Sequence, residues 1–437
     1  MARRRAYVPL NVFLNGRFVG VFQRQASGAV DFRYADDWLA FRGTFPISLS
    51  LPLREDRYVG APVINVFDNL LPDSTDIRRR IAERVGAGGT DAYSLLAALG
   101  HDCVGALQFV PDGLDPGAAG GIDGKAVGDD EVGGMLANLG MAPLGLGPDT
   151  DFRISIAGAQ EKTALLRKDG RWFKPSGATA TTHILKPQIG RLPNGIDLSD
   201  SVENEFLCLR LLQGMGVPVA QAEIVDFAGR RTLVVERFDR LWARDGRLLR
   251  LPQEDFCQAL SVPPSRKYQS DGGPGLRDML GLLTGSDTPE ADLLTFMRAN
   301  IVFWLLGATD GHAKNFSIFL VPGGGFRMTP LYDVLSAQPS FDSGHVPRNK
   351  LKLAMAVGDS NHYAIHSIAR RHFLQTADLA GVGRSAMLAL CDDLAQNAGR
   401  QAETVIEGLP RGFPDRLVTS VAAALARRAQ LLAGARP

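Results

Sequence analysis

The sequence has few cysteines and almost no net charge, and each of these features argues against certain classes of protein. Its 437 residues carry a formal net charge of +1, so no global field marks a nucleic-acid-binding protein, although a local basic patch stays open. The four cysteines lie far apart and form no Cys-x-x-Cys motif. This pattern predicts free thiols in a reducing compartment and argues against a structural zinc site. The cysteines are Cys103, Cys208, Cys257 and Cys391.

Long apolar runs are also missing. No run of about 18 apolar residues occurs, so no transmembrane helix is expected. The basic start, Met1–Arg5, precedes an apolar stretch that Asn11 and Asn15-Gly16 interrupt, which makes it a poor signal peptide. We therefore expect a cytoplasmic protein without a membrane partner.

The first 111 residues predict a small α+β subdomain. Residues 7–14 and 17–23 flank Asn15-Gly16, and Asn-Gly accepts the positive φ angles of a tight hairpin turn. Hydrophobic periodicity predicts further strands at 47–51 and 104–110 and helices at 76–85 and 91–99.

The rest of the chain changes from strands to helices. Residues 112–151 are rich in Gly and Asp and are expected to form a loop or linker. Residues 152–240 predict strands at 154–156, 163–167, 182–186, 222–225 and 231–235, with a helix at 203–215. Residues 241–437 are mainly helical, apart from a small hairpin at 316–320 and 326–328. This order predicts an α+β, protein-kinase-like two-lobe fold: a small β-rich N-lobe, a hinge at 236–240 and a large, mainly α C-lobe.

An acidic loop interrupts the helical part, in the stretch WLLGATDGHAKNFSIF. Asp310 and Asn315 stand five positions apart, the separation of the catalytic aspartate and the magnesium-binding asparagine in HRDxxxxN of protein kinases. One loop can then aim a carboxylate at a hydroxyl and an amide oxygen at a metal. Taken alone, the spacing also fits a helix C-terminus capped by Gly311 with Asn315 in a turn.

A second acid follows in TPLYDV. The predicted hairpin would return Asp333 beside the first acid, as the aspartate of the kinase DFG motif returns to magnesium. The alternative is a helix N-cap aspartate after Pro330.

The N-lobe offers groups for nucleotide phosphates. Lys186 ends a strand, and either Glu203 or Glu205 of the next helix has the spacing to pair with it. Alternatively, Lys186 is a solvated lysine at a strand end. The turn 155–162 supplies small residues whose N–H groups can face phosphates, or it is an ordinary hairpin. Residues 236–238, at the exit from the sheet, would meet adenine.

These motifs resemble one known family. SIAGAQEKTALL, THILKP, VERFDR, LPQEDFCQ, GATDGHAKNFS and TPLYDVLSA are similar to the HipA-type serine/threonine kinases, the toxins of bacterial toxin–antitoxin pairs. The resemblance implies ATP and Mg2+ as cofactors, Asp310 as catalytic base, Asn315 and Asp333 as metal ligands, and inactivating autophosphorylation at Ser155. The nucleotide-binding residues that it implies are Ala157, Gly158, Ala159, Gln160, Glu161, Lys162, Lys186, Glu236, Arg237, Phe238, His312, Ala313, Lys314, Asn315, Tyr332 and Asp333.

The resemblance also implies a biological role. Family members phosphorylate aminoacyl-tRNA synthetases, notably the glutamyl enzyme, which stalls translation and causes growth arrest or persistence. Their partner is a helix-turn-helix antitoxin that binds operator DNA. Residues 376–381 match a DNA-contacting helix of some relatives but lack basic side chains, so we expect DNA contact mainly through the antitoxin. Two other functions stay open: a corepressor that acts by binding an antitoxin–operator complex, and a small-molecule phosphotransferase of the same fold.

Overall fold

The computed structural model describes residues 7–146, 154–158 and 160–434. The predicted boundary between residues 151 and 152 and the predicted nucleotide-binding residue Ala159 lie outside these ranges.

Strands are concentrated in the first 255 residues. They are β1 (Leu10–Leu14), β2 (Arg17–Arg24), β3 (Val30–Tyr34), β4 (Tyr58–Val59), β5 (Leu107–Pro111), β6 (Gly124–Val127), β7 (Thr163–Lys168), β8 (Arg171–Pro175), β9 (His183–Pro187), β10 (Gly190–Arg191), β11 (Asp197–Leu198), β12 (Ala222–Phe227), β13 (Arg230–Glu236), β14 (Arg240–Trp242), β15 (Leu248–Arg250), β16 (Gln253–Asp255), β17 (Ser317–Leu320), β18 (Phe326–Met328), β19 (Lys352–Val357) and β20 (His362–Ala364).

The longer helices follow, mostly after residue 255. The helices are α1 (Asp36–Leu39), α2 (Ala61–Asp68), α3 (Thr75–Val85), α4 (Ala92–Leu99), α5 (Asp129–Ala137), α6 (Ser201–Gly214), α7 (Phe256–Ala259), α8 (Leu276–Leu283), α9 (Pro289–Leu306), α10 (Gln338–Asp342), α11 (Arg370–Leu379), α12 (Arg384–Glu407) and α13 (Asp415–Leu432). None of the helices in the described ranges combines the length and apolar character needed to cross a bilayer.

The chain forms two compact units. The β-rich unit comprises residues 1–187, 225–265 and 318–326, and the helical unit comprises residues 188–224, 266–317 and 327–437. The predicted concentration of helices in the later part of the chain is confirmed, but residues 241–437 also contain strands beyond the predicted hairpin, namely β15, β16, β19, β20 and most of β14.

The predicted N-terminal hairpin is confirmed. Strands β1 and β2 pair antiparallel down to Leu14 opposite Arg17, and the turn residues Asn15 and Gly16 have φ angles of 45° and 80°. The pair belongs to a five-stranded sheet of order β4-β3-β2-β1-β5, which buries an aromatic cluster of Phe22, Phe67 and Phe109.

The strand expected at 47–51 is wrong, because this segment is a turn. Its polar groups find partners outside any sheet. The N–H of Ile47 donates to the Tyr34 hydroxyl at 3.0 Å, and the N–H of Leu49 donates to Oε1 of Glu254 at 2.8 Å. Alternating apolar and polar residues at this position therefore reflect a turn pinned by distant side chains.

The expectation of a loop at 112–151 also needs correction, because β6 and α5 occupy residues 124–127 and 129–137. Val132 and Leu136 of α5 are buried with Trp172 and Phe227 in one apolar cluster. This burial stabilises the helix despite the glycine-rich surroundings. Strand β6 lies at the edge of a six-stranded sheet of order β12-β13-β9-β7-β8-β6.

The strand expected at 154–156 is reduced to one isolated bridge, between Asp102 and Ile154. Residues 155–157 have irregular backbone and lead into the loop before β7. The alternative of an ordinary hairpin at this position is therefore wrong, because the loop lacks a first strand.

Candidate functional site

Helix α9 of the helical unit leads into the acidic loop, residues 310–315, and anchors it in the core. Its last seven residues, Asn300–Leu306, are all buried, so the helix is held by apolar packing on every side. The helix ends at Gly307, whose φ of 72° gives the left-handed cap that glycine adopts without strain. Gly307 is the cap of α9, and the alternative that Gly311 caps this helix is wrong.

The loop after α9 is organised around the backbone carbonyl of Asp310. That oxygen accepts hydrogen bonds from the His312 N–H at 2.8 Å and from Nδ2 of Asn315 at 2.7 Å. Side chains of His312 and Asn315 are buried, whereas the Asp310 side chain is 57% exposed. The predicted spacing of Asp310 and Asn315 therefore produces a rigid turn that presents one carboxylate to solvent.

Tyr268 contacts this carboxylate and was missed by the sequence interpretation. Its hydroxyl donates to Oδ1 of Asp310 at 2.5 Å, and its ring meets the His312 ring edge to face with centroids 4.8 Å apart. Tyr268 lies in an irregular segment 42 positions before Asp310, so neither periodicity nor motif spacing could have found it.

The segment that carries Asp333 is hydrogen-bonded to the segment that carries Asn315. The Tyr332 hydroxyl donates to the Lys314 carbonyl oxygen at 3.1 Å and lies 2.5 Å from Oγ of Ser317. The Thr329 N–H donates to the Ser317 carbonyl oxygen at 3.0 Å. The hairpin thus returns the chain as predicted and brings the two segments together.

Asp333 has an unusual backbone. Its φ is 59°, a left-handed conformation that costs a non-glycine residue energy and is often found at functional positions. The next helix, α10, begins at Gln338 after its N-cap Ala337, so the alternative of an N-cap role for Asp333 is wrong.

The predicted metal ligands fit magnesium in their chemistry. Within the described ranges, no group of three or more His, Cys, Asp or Glu side chains is arranged to hold a metal ion. Magnesium at nucleotide sites needs fewer protein ligands, because one or two carboxylates act together with phosphates and waters. Nδ2 of Asn315 donates to the Asp310 carbonyl oxygen, so the amide oxygen is the Asn315 atom that would bind a cation. The assignment of Asn315 and Asp333 as ligands stays a prediction.

The β-rich unit holds the residues predicted to bind phosphates. The Ser155 N–H donates to the Asp102 carbonyl oxygen at 2.9 Å, and the Asp73 N–H donates to the Gly158 carbonyl oxygen at 3.2 Å. A Cβ atom at Gly158 would lie 2.6 Å from Nζ of Lys162, so this lysine reaches back across the loop. The loop is therefore packed against the N-terminal subdomain.

Lysine is buried at two positions in the described part of this unit. Lys162 and Lys186 are 6% and 5% exposed, and lysine is seldom buried unless its charge is paired. The Gln160 side chain donates to the Pro187 carbonyl oxygen at 3.2 Å, which joins the loop to the end of the strand that carries Lys186. The alternative of a solvated lysine at a strand end is wrong for Lys186.

The two candidate glutamates lie on α6 of the helical unit. Both are buried, and Glu203 accepts a hydrogen bond from Nε2 of Gln188 at 2.6 Å. The pairing of Lys186 with Glu203 or Glu205 stays a prediction.

The predicted hinge, residues 236–240, contributes three side chains to a buried ionic cluster, which we define as Asp102, Arg237, Asp239, Arg240 and Arg250. Asp102 forms ion pairs with Arg240 at 2.8 Å, with Arg250 at 3.1 Å and with Arg237 at 3.4 Å. Burial raises the pKa of Asp102, but the three guanidinium groups outweigh it and hold the pKa well below its usual range.

The cluster decides what Arg237 can do. Its guanidinium group is buried against Asp239, and its N–H donates to the Thr182 carbonyl oxygen at 2.9 Å. Arg237 therefore fixes the start of the hinge, and its N–H is already used. The predicted roles of Glu236 and Phe238 near adenine stay predictions. The Phe238 ring meets the Phe319 ring edge to face, 5.8 Å between centroids.

A β-rich unit with one buried lysine on a strand and another in the preceding loop, and a helical unit with an aspartate–asparagine loop, define a kinase-like protein. The family model of the HipA-like C-terminal domain matches the sequence at residues 154–402, and the family model of the HipA N-terminal domain matches residues 10–110. The chain belongs to the HipA family, as predicted.

Individual relatives agree with this membership. The chain is 40% identical to "Putative kinase Y4mE" of Sinorhizobium fredii, over 80% of each protein. It is 29% identical to the serine/threonine-protein kinase toxin HipA of Shewanella oneidensis, over 86% of this chain and 84% of the relative. The solved complex of Shewanella oneidensis HipA, HipB and operator DNA contains a chain with a TM-score of 0.81, 26% identity and 97% coverage of both chains. The kinase-like α+β fold is confirmed, and the protein is a serine/threonine protein kinase.

Proposed function

We propose that this kinase uses Mg-ATP and acts as the toxin of a toxin–antitoxin pair, with an aminoacyl-tRNA synthetase, most simply the glutamyl enzyme, as substrate. The observation that supports phosphoryl transfer is the hydrogen-bonded loop that holds Asp310 and Asn315 together. This loop is also hydrogen-bonded to the segment that carries Asp333. The toxin role is supported by the similarity to the HipA toxin of Shewanella oneidensis.

Each residue then has a chemical task. Asp310 orients the substrate serine or threonine hydroxyl and accepts its proton during transfer. The amide oxygen of Asn315 and the carboxylate of Asp333 would hold magnesium, which neutralises phosphate charge when it is bound. Lys162 and Lys186 would compensate the charge of the nucleotide phosphates, and N–H groups of the predicted phosphate loop, residues 157–162, would face them.

Radiolabelled ATP tests this function directly. Purified protein is incubated with labelled ATP and with purified glutamyl-tRNA synthetase, and the label on each chain is counted. We expect Asp310→Asn to lower the transfer rate about 10²–10⁴-fold, the usual contribution of a positioned proton acceptor. Asp378→Asn, an exposed acid on α11, is the matched control and should keep full activity.

The same pair of variants tests the toxin role in cells. Expression of the wild-type chain and of Asp378→Asn should arrest growth, and expression of Asp310→Asn should not. Arrest by Asp310→Asn would show that toxicity does not depend on phosphoryl transfer. Label on the kinase but not on the synthetase would overturn the assigned substrate and leave the kinase chemistry standing.

We also propose that Ser155 is an inactivating autophosphorylation site. Its side chain is fully buried, and its Oγ donates to the Leu70 carbonyl oxygen at 2.8 Å. A phosphate carries about −1.5 to −2 charges and cannot replace that buried hydroxyl, so the modified loop must leave its packed position. Phosphopeptide mapping after incubation with ATP should find the label at Ser155, and Ser155→Ala should stay active for longer.

A second function is favoured by one relative. The Shewanella oneidensis HipA structure contains HipB and operator DNA, so we propose a helix-turn-helix antitoxin as partner and DNA contact mainly through it. If the corepressor role dominates, Asp310→Asn should repress an operator–reporter fusion with the antitoxin as strongly as the wild-type chain does.

A further inference from the structure

The segment from Arg266 to Gly273 holds the acidic loop at three points. The Lys267 carbonyl oxygen accepts a hydrogen bond from the Ala313 N–H at 3.4 Å. The Tyr268 hydroxyl donates to Oδ1 of Asp310, and the Tyr268 ring packs on the buried His312 ring. We call residues 266–273 the tyrosine brace. All of these contacts lie within the helical unit.

Glycine makes the shape of the brace possible. The Tyr268 carbonyl oxygen accepts from the N–H groups of Asp271 at 3.0 Å and Gly273 at 2.9 Å, so the chain folds back on itself. A Cβ atom at Gly273 would overlap the Arg266 carbonyl oxygen and lie 2.8 Å from that of Tyr268. Gly272 has a φ of 81°, which glycine adopts readily.

The brace is itself anchored to the core of the helical unit. Oε1 of Gln269, the neighbour of Tyr268, accepts a hydrogen bond from the Ala356 N–H of β19 at 2.7 Å. The Lys267 ammonium lies 5.5 Å from the centre of the Tyr268 ring, a cation–π distance. The ring of Tyr268 is therefore fixed by its neighbours, and its hydroxyl meets Asp310 from a defined direction.

We propose that Tyr268 is a positioning residue for the catalytic base: its hydroxyl holds the Asp310 carboxylate in the orientation that accepts the proton of the substrate hydroxyl. The inference rests on the proposed role of Asp310. The side chain of Asp310 is 57% exposed, so packing alone does not select its rotamer. A hydrogen bond to a carboxylate is stronger than one between neutral groups and has a preferred direction.

The two carboxylate oxygens then have different tasks. Oδ1 receives the Tyr268 hydroxyl, and Oδ2 is assigned to the substrate hydroxyl. His312 contributes on the same side, because its Nε2 lies 3.9 Å from Oδ1 and its ring supports the tyrosine. Tyr268 takes no proton in this scheme, and it acts only through the geometry of Asp310.

Steady-state kinetics of Tyr268→Phe test the proposal, because this variant keeps the ring and removes only the hydroxyl. We expect kcat to fall roughly ten-fold with little change in the KM for ATP, since misplacing a catalytic group affects the chemical step. Tyr363→Phe removes a hydroxyl from the half-buried Tyr363 of β20 and should leave kcat unchanged. Thermal unfolding of both variants checks that the fold is intact.

A double-mutant cycle separates positioning from general damage. If Tyr268 acts through Asp310, adding Tyr268→Phe to Asp310→Asn should lower the residual rate less than two-fold. Equal losses in both backgrounds would overturn the inference, as would full kcat in Tyr268→Phe while Asp310→Asn is impaired. Full activity of Asp310→Asn would instead overturn the proposed function itself.

Discussion

Two regions of this kinase treat acidic side chains in opposite ways. In the β-rich unit, Asp102 is buried and forms ion pairs with three arginines. In the helical unit, Asp310 follows a buried helix, and its side chain is 57% exposed and accepts a hydrogen bond from the Tyr268 hydroxyl. A carboxylate enclosed by fixed partners contributes to structure, whereas one that is oriented but accessible is able to meet a substrate.

The difference has a physical cause. Moving charges out of water costs several kcal/mol per ion, so buried charged side chains persist only when ion pairs and hydrogen bonds offset that cost. Its members then have no capacity left for a ligand. An exposed carboxylate keeps its solvation, and its orientation must come from a few directional contacts to rigid neighbours. The three predictions below test this contrast from the largest expected effect to the smallest.

Asp102→Asn should cause the largest loss of stability. The substitution leaves Arg237, Arg240 and Arg250 buried with Asp239 as the remaining acid of the ionic cluster. Removing one partner of a buried pair typically lowers the free energy of unfolding by about 3–5 kcal/mol. Urea denaturation followed by circular dichroism measures it. Asp310→Asn is the control and should change stability by less than about 0.5 kcal/mol, because exposed substitutions rarely do more.

A loss below about 1 kcal/mol in Asp102→Asn would contradict the structural role of the ionic cluster. A large loss in Asp310→Asn would contradict the contrast from the other side.

Gly273→Ala should have an intermediate effect. The added methyl group overlaps the Arg266 carbonyl oxygen, so the tyrosine brace must shift at a cost of about 1–3 kcal/mol. Because Tyr268 moves with the brace, kcat should also fall although every catalytic side chain is retained. Gly281→Ala on α8 is the matched control, since no atom lies within 4 Å of its Cβ position. That control should be neutral or stabilising; equal kcat in both variants would argue against the brace.

Glu254→Gln should remove a smaller, pH-dependent instability. Burial raises the pKa of Glu254 from 4.5 to about 8, so the folded state binds a proton that the unfolded state has lost between these pH values. Stability therefore falls as pH rises through this window, by about 1–2 kcal/mol between pH 6.5 and 8. The neutral amide should show a flatter profile in urea denaturation at each pH.

Between pH 6.5 and 8, the pH dependence of stability is not affected by His372, whose contribution has the opposite sign. Burial lowers the pKa of His372 from 6.5 to about 4, so its contribution rises with pH only below about 6.5. Parallel profiles of wild type and Glu254→Gln between pH 6.5 and 8 would contradict the assignment to Glu254.

Local sequence patterns predicted much of the fold and part of the candidate site. The Asn15-Gly16 hairpin, the helix at 203–215 and the return hairpin before Asp333 depend on backbone preferences and periodicity within a few residues. The spacing of Asp310 and Asn315 also indicated the loop that holds these two residues together. The alternation of apolar and polar residues at 47–51 led to a wrong strand prediction. Polar groups of this turn form hydrogen bonds with Tyr34, Glu254 and Gln258, which are distant in the chain.

Interactions between residues close in sequence therefore determined most helices and strands, their kinase-like order and the acidic loop. Each of these features depends on neighbours within one turn or one hairpin. Contacts over long separations required the folded chain: Asp102 with Arg237, Arg240 and Arg250, and Tyr268 with Asp310. No short motif encodes such pairs, because burial and direction arise only when distant segments pack together. That packing made one aspartate part of the core and left the other oriented towards solvent.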